Sequence, residues 1–292
     1  MIKTGIRGIR DPFVVRDGGT YYIYGTGVAG GWDNSTYDCY KSVDGLSGAW
    51  EKITLDYEIP KNAVKQFWAP EVHKYKGQFY LFASYFSSLT GHRGCAIWRS
   101  PSPEGPFVEI TDGHITPSEW DAIDGTLYVD EHGEPWMFFV HEWTSTPDKV
   151  GRMAVAKLSS DLTRFVSEPK DLFEAKDPEW SNSGCTDGPF IYKTREGQLL
   201  MLWSTFLSRD YCVAIARSHD GITDGEWTHD AKVLFSKEMA DGKDGGHGMI
   251  FTDTVGQMYL SVHSPNKTSQ EEKEETVFLQ IREENGTLVV ER

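Results

Sequence analysis

Three aspartates stand at corresponding places in distant parts of the chain: Asp11 in RDPFVV, Asp124 in IDGTLYV and Asp187 in DGPFIY. Asp-Pro and Asp-Gly are ordinary turn dipeptides, because a short carboxylate bonds its own backbone and the following residue sets the dihedrals. Asp17-Gly18, Asp44-Gly45, Asp112-Gly113, Asp220-Gly221, Asp224-Gly225 and Asp241-Gly242 show that plain use elsewhere in the same chain. Asp11, Asp124 and Asp187 differ because each leads into an apolar strand. If they converge, the carboxylates are costly to keep ionised together, at least one pKa rises, and acid and base roles divide. Hydrolysis of a glycosidic bond uses that division: one carboxylate activates water and one carboxylic acid protonates the leaving oxygen.

Convergence is supplied by a repeat. Five segments run from a tight turn through an apolar strand and a Gly turn into an aromatic-rich strand: RDPFVVRDGGTYYIYGTG, WAPEVHKYKGQFYLFASY, AIDGTLYVDEHGEPWMFFVHEW, CTDGPFIYKTREGQLLMLWST and GGHGMIFTDTVGQMYLSVHS. Aligning positions 11, 69, 124, 187 and 247 gives offsets of 58, 55, 63 and 60 residues. A repeat of that length made of short strands is a propeller blade, and the innermost strands of a propeller begin or end around one central funnel. The segments YDCYKSVDGLSGAWEKI, GCAIWRSPSPEGPFVEI, RMAVAKLSSDLTRF and CVAIARSHDGITDGEWTHD supply third strands and the turns into fourth strands. In the last blade TVFLQIREENGTLVVER takes that place, and the preceding KTSQEEKEE reads as a solvated loop. The expected fold is all-β, a single five-bladed β-propeller domain over residues 1–292 with no long amphipathic helix. The N-terminal residues or the final strand would close the ring and leave no sheet edge open.

Composition narrows the partners. Among 292 residues aromatic side chains reach 13%, with 10 Trp and 13 Tyr, which suits half-buried pleated surfaces. A formal charge of −15 and a pI near 5.0 repel a phosphate backbone, so a nucleic-acid partner is not expected. No apolar run is long enough to span a bilayer, and MIKTGIRGIRDP lacks the apolar stretch of a signal peptide. The expected location is cytoplasmic, or secreted with a signal removed. Cys39, Cys95, Cys185 and Cys212 have no metal-type spacing and are expected to be free thiols.

The runs RDPFVV, WAPEV, IDGT, DGPFIYK and GGHGMIF resemble the blade-start motifs of glycoside hydrolase family 43, and the resemblance extends over the whole chain. It implies a five-bladed propeller of inverting glycosidases acting on arabinose- and xylose-containing oligosaccharides. By that resemblance Asp11 is the general base that holds the attacking water, and Asp124 orients the acid and modulates its pKa. Asp187 stands where the family usually places a glutamate acid, so the acid is one methylene shorter. Glu71, Glu142 and Glu179 are the substitutes for it. His247 is similar to a histidine near the propeller axis, which implies a structural calcium there with His247 as a ligand, although no cofactor is required for the acid–base reaction.

Sugar rings stack their C–H faces on aromatics, so Trp68 and Phe67 at the second blade start are substrate-binding candidates, as are Trp32, Trp143 and Trp180 in loops leaving inner strands. Trp98, Trp136 and Trp203 lie mid-strand and read as core. Arg10, Arg209, Glu71 and His247 are candidates for bonding substrate hydroxyls. The expected activity is removal of terminal α-L-arabinofuranosyl or β-D-xylosyl units. Related five-bladed fructan and sucrose hydrolases would carry an Asn-Asp-Pro-Asn-Gly start and a Glu-Cys acid motif, and the chain has neither. The alternatives are a sugar-binding propeller without catalysis, suggested by Asp187 in place of glutamate, and the same fold acting on another sugar such as galactose.

Overall fold

The computed structural model describes residues 1–268 and 273–291, the side chains of residues 267 and 268 excepted. Its strands form five sheets, each antiparallel in every pairing. Blade 1 comprises Ile9–Asp17, Thr20–Gly27, Tyr37–Ser42 and Glu51–Ile53; blade 2 comprises Ala63–Tyr75, Gln78–Ser87, Arg93–Ser100 and Val108–Glu109. Blade 3 comprises Ala122–Val129, Pro135–His141, Arg152–Lys157 and Lys170–Glu174; blade 4 comprises Asp187–Lys193, Leu199–Leu207, Asp210–Ser218 and Trp227–His229. Blade 5 is built from Gly246–Thr252, Met258–Thr268 and Lys273–Glu284. Helical structure among the described residues is confined to single 3-10 turns at Gly31–Asp33 and Lys237–Met239.

Both ends of the chain close the ring, each on one half of the same strand. Ile2–Arg7 pairs with Lys273–Glu284 at Val277 and Phe278, and Thr287–Val290 pairs with it from Ile281 to Glu284. The solvated loop expected over KTSQEEKEE is shorter than the sequence suggests: residues 269–272 lie outside the described residues, whereas Lys273, Glu274 and Glu275 are already strand.

Packing follows from the period of 2 in a strand whose faces both meet protein. In Gln78–Ser87, Phe79, Leu81, Ala83 and Tyr85 pack toward Tyr22, Tyr24 and Tyr37 of blade 1. The alternate residues Tyr80 and Phe82 pack toward Met137 and Phe139 of blade 3. The same division recurs in Leu199–Leu207, where Leu200 and Leu202 face blade 5 and Leu199, Met201 and Trp203 face blade 3. Each neighbouring pair of blades thus encloses its own apolar layer, the fifth lying between Phe13, Val14 and Ile23 of blade 1 and Met249, Phe251 and Phe278 of blade 5. This explains why the second strands read as continuous apolar runs. Trp98 and Trp203 are fully buried in these layers. Cys39, Cys95, Cys185 and Cys212 are free thiols.

Every innermost strand carries a bulge at the same place. The register shifts between Arg10 and Phe13, Trp68 and Glu71, Ile123 and Thr126, Asp187 and Phe190, and Gly246 and Met249. The residue inside each bulge has positive φ: Asp11 at 55°, Ala69 at 45°, Asp124 at 58°, Gly188 at 51° and His247 at 52°. Aspartate tolerates this left-handed conformation better than most side chains, and bulges re-aim side chains at functional rims. The alignment of blade 4 on Asp187 is therefore corrected by one residue. Gly188 is the equivalent of Asp11 and Asp124, while Asp187 is the equivalent of Arg10, Trp68 and Ile123.

Candidate active site

A second position repeats opposite the bulges. Thr26, Ser84, Val140, Ser204 and His263 pair across the ladder with Arg10, Trp68, Ile123, Asp187 and Gly246. Four of these side chains accept the bulge amide of the next blade. Ala69 N donates to Thr26 Oγ1 at 2.8 Å, Asp124 N to Ser84 Oγ at 3.0 Å, His247 N to Ser204 Oγ at 2.8 Å, and Asp11 N to His263 Nδ1 at 3.2 Å. Val140 offers no acceptor, and there the Gly188 amide turns to the Asp124 carboxylate, donating to Oδ2 at 2.9 Å. The ring of bonds satisfies buried backbone donors at an irregular point of every strand.

The result is a pocket of about 220 Å³ lined by Asp11, Asp124, Asp187 and His247 at its floor and by Trp32, Trp68 and Trp143 among its walls. Arg10, Ile123, Glu142 and Tyr211 complete the lining. Trp68 Nε1 donates to the Trp32 carbonyl at 2.9 Å, and the two rings meet edge to face at 5.7 Å. The guanidinium of Arg10 lies 4.9 Å from the Trp32 ring centre, and that of Arg93 lies 5.5 Å from Trp68. Both Trp side chains are thereby oriented by cation–π contacts.

The three carboxylates have unlike surroundings. Burial opposes ionisation of Asp11, yet His247 Nδ1 at 3.1 Å and the adjacent Arg10 hold its carboxyl far below the usual range. Thr26 Oγ1 also donates to Asp11 Oδ2 at 2.6 Å. His263 reaches Asp11 from the other side, but burial and then Arg10 lower its pKa to about 3. The ring is neutral, with Nδ1 accepting from Asp11 N and Nε2 facing Asn266 Oδ1 at 3.2 Å. His247 is the opposite case: despite burial, Asp11 and Asp124 raise its pKa to about 10. Gly188 lies directly under this ring, where a Cβ would come within 2.7 Å of His247 Cδ2.

Burial pushes Asp124 and Asp187 both upward, and the charge of Asp187 raises Asp124 further. Opposing this, Asp187 Oδ2 accepts hydrogen bonds from Tyr211 Oη at 2.9 Å and Cys185 Sγ at 3.1 Å. One cavity thus sets two carboxyls that burial pushes toward the protonated form beside an aspartate held ionised, the kind of contrast that acid and base roles draw on.

The structure brings together Asp11, Asp124, Asp187, His247, Arg10, Trp68, Trp143 and Trp32. It does not bring in Phe67, Glu71, Arg209, Glu179 or Trp180. Phe67 is buried in an aromatic layer against Tyr37 and Tyr85, with ring centres 5.2 and 6.1 Å away. Glu71 follows the bulge on the blade interior, where its Oε2 meets His73 Nε2 at 2.8 Å. Arg209 sits in the exposed turn between Leu199–Leu207 and Asp210–Ser218. Of the substitutes for the acid, Glu179 is exposed and away from the pocket, whereas Glu142 lines it. Burial raises Glu142 to about 7 although Arg93 Nε donates to it at 2.6 Å. Trp180 leaves the pocket for the blade interior, stacking 6.2 Å from Trp203.

Sequence reading passed over Thr26, His263, Tyr211 and Glu274. Glu274 is buried and pairs with Arg10 at 3.2 Å, from inside the charged stretch. A Ser, Thr or His at the matching place of four second strands was the available signal for the first two. The donor set does not fit calcium. That ion takes oxygen ligands, His247 is held as a cation, and among the described residues no group of three or more His, Cys, Asp or Glu side chains is arranged to hold a metal.

Among the described residues no helix is long and apolar enough to cross a membrane. The chain is similar to an extracellular exo-α-(1→5)-L-arabinofuranosidase of Cellvibrio japonicus, at 27% identity over 218 residues, 68% of this chain and 58% of the relative. It thus spans little more than half the length of that relative. The crystal structure of an endo-arabinase from Bacteroides thetaiotaomicron superposes with a TM-score of 0.84 at 33% identity, covering 98% of both chains. A thermostable family-43 glycoside hydrolase superposes with a TM-score of 0.87 at 24% identity, covering 100% of this chain and 96% of that one, and shows the shared fold. The profile of glycosyl hydrolases family 43 matches residues 6–288. With the bulges, the carboxylates and the profile all in one frame, the chain belongs to glycosyl hydrolases family 43.

Proposed function

We propose that the protein is an inverting glycosidase that removes terminal α-L-arabinofuranosyl or β-D-xylosyl units from soluble oligosaccharides. The observation that carries this reading is a Trp-walled pocket in which Asp11 is paired with His247 and held ionised while burial pushes Asp187 toward the protonated form. Asp11 takes a proton from water as that water attacks the anomeric carbon. The bond to the leaving oxygen breaks, and that oxygen receives the proton of Asp187. Asp124 acts on the acid through the Gly188 amide, fixing the backbone next to Asp187. A volume of 220 Å³ is below the usual range of about 300–1,000 Å³ for ligand pockets. That size suits one sugar ring and exo action. The extracellular arabinofuranosidase among the relatives supports the secreted location over the cytoplasmic one.

The test is hydrolysis of aryl α-L-arabinofuranosides, aryl β-D-xylosides, aryl galactosides and the matching oligosaccharides, with NMR of the newly released anomer. Inverted arabinose or xylose from the parent, lost in Asp11→Asn, supports the reading. Retained configuration overturns the mechanism, and release of galactose alone overturns the sugar. Sugar binding by calorimetry with no turnover of any substrate overturns catalysis in favour of a binding propeller.

A further inference from the structure

Asp187 is bound unequally at its two oxygens. Oδ2 accepts from both Tyr211 Oη at 2.9 Å and Cys185 Sγ at 3.1 Å, whereas Oδ1 makes no hydrogen bond among the described residues and is not sealed from the pocket. Neither donor has another hydrogen-bond acceptor among the described residues, so each O–H and S–H is committed to that one oxygen. Burial and the neighbouring Asp187 push both donors well above their ordinary pKa values, which keeps their protons in place.

We infer that Cys185 and Tyr211 are positioning residues that occupy Oδ2 of Asp187, so that Oδ1 is the atom that carries the acidic proton and delivers it to the leaving oxygen. An oxygen already accepting two hydrogen bonds has little lone-pair density left for a proton, and the free oxygen takes it. When the Oδ1–H bond breaks, the same two donors stabilise the carboxylate that forms. An aspartate is one methylene shorter than a glutamate, and its reach depends all the more on a fixed rotamer.

Both donors are themselves held. Cys185 N donates to Ser183 Oγ at 3.0 Å, and its carbonyl accepts from Thr205 Oγ1 at 2.7 Å. Tyr211 N donates to Asp244 Oδ2 at 3.1 Å, and its ring stacks 5.6 Å from His263. Gly246 makes room for that ring, since a Cβ there would lie 2.5 Å from Tyr211 Cε1. The other titratable groups around Asp187 come from the remaining inner blade ends: Asp11, Asp124 and His247, with Glu142 from the loop after Pro135–His141.

The inference rests on Asp187 being the acid, and the experiment separates the two. The pH dependence of kcat/KM is measured on an aryl arabinofuranoside with a poor leaving group and on one with a good leaving group. The parent is compared with Asp187→Asn, Tyr211→Phe, Cys185→Ala and Cys185→Ser, with circular dichroism and melting as checks on folding. Donors to the charged form lower a carboxyl pKa, so removing one raises it and the basic limb moves to higher pH. Tyr211→Phe and Cys185→Ala should each move that limb up by about one pH unit. They should also lower kcat about tenfold on the poor leaving group with KM little changed, while Cys185→Ser restores the parent limb. An unmoved limb in both donor variants, with Asp187→Asn still selectively impaired on the poor leaving group, overturns the inference alone. Equal loss on both leaving groups in Asp187→Asn overturns the acid assignment itself. Tyr211 lies in packed surroundings; if its variant fails to fold, the Cys185 pair decides the matter.

Discussion

Asp124 Oδ2 accepts the amide of Gly188 at 2.9 Å, across the one blade boundary where Val140 replaces the usual acceptor. One carboxylate therefore has a structural task beside the chemical one proposed for it. Asp124→Ala orphans a buried N–H and should cost about 1–3 kcal/mol in urea unfolding. Adding Val140→Thr returns an acceptor to the place held by Thr26, Ser84 and Ser204 in other blades. Part of the lost stability should come back while activity does not; if both return together, Asp124 serves the backbone alone.

Asp11 owes its ionisation chiefly to His247, with Arg10 second. In His247→Gln the acidic limb of kcat/KM should move to higher pH by one unit or more, because an unpaired buried carboxyl reverts toward the protonated form. A limb that stays in place means the base lies elsewhere.

The same pair predicts a pH window for stability. The pKa of His247 is about 10 when folded and about 6.5 when unfolded, so its contribution is complete below about pH 6.5 and lost as pH rises through 10. The difference in unfolding free energy between the parent and His247→Gln should shrink steadily across that interval. A difference constant from pH 6 to 10 contradicts the ion pair.

Glu142 and Asp187 are separable by leaving group. Glu142, paired with Arg93 and raised to about 7, should affect binding of the sugar. Glu142→Gln is expected to remove a break in KM near pH 7 and to leave the dependence on leaving-group pKa as in the parent. A variant that fails selectively on poor leaving groups would transfer the acid role to Glu142.

Arg10 and Glu274 form a pair in which both side chains are nearly sealed from water. Glu274→Ala removes the hydrogen-bonded partner of a buried guanidinium that keeps only the adjacent Asp11, and should destabilise by about 3 kcal/mol. Urea denaturation of the folded variant measures this; a loss under 1 kcal/mol contradicts the burial of the pair.

The architecture was legible because turn residues and aromatic strands recur at blade length; Asp11, Asp124 and His247 were legible as matching positions within that repeat, and Trp68 as the neighbour of the matching Ala69. Asp187 was found by type but placed one residue out of register, since the bulge conformation, not the aspartate, defines the repeat, and a glycine fills it in blade 4. Phe67 and Glu71 were misjudged by adjacency. They flank Trp68 in sequence, but strand alternation and the bulge send them into the packed interior. Arg209 was chosen for its charge, which says nothing about which end of a hairpin it occupies. Glu274 was hidden in a run of like charges, where only the third dimension distinguishes one buried member.

The strand Lys273–Glu284 is edged on one half by residues 2–7 and on the other by residues 287–290, and Asp11 draws its contacts from His247 and His263. Partners separated by more than two hundred positions have to meet before the carboxylate of Asp11, once buried, is held as an anion. Pairings of that sequence separation form late, because the chain between them has to be ordered first. During synthesis the first four blades can emerge and pack while the pocket still lacks one side. The pocket is thus completed in a late step, and a chain arrested short of its fifth blade carries all three aspartates without the His247 and His263 that flank Asp11.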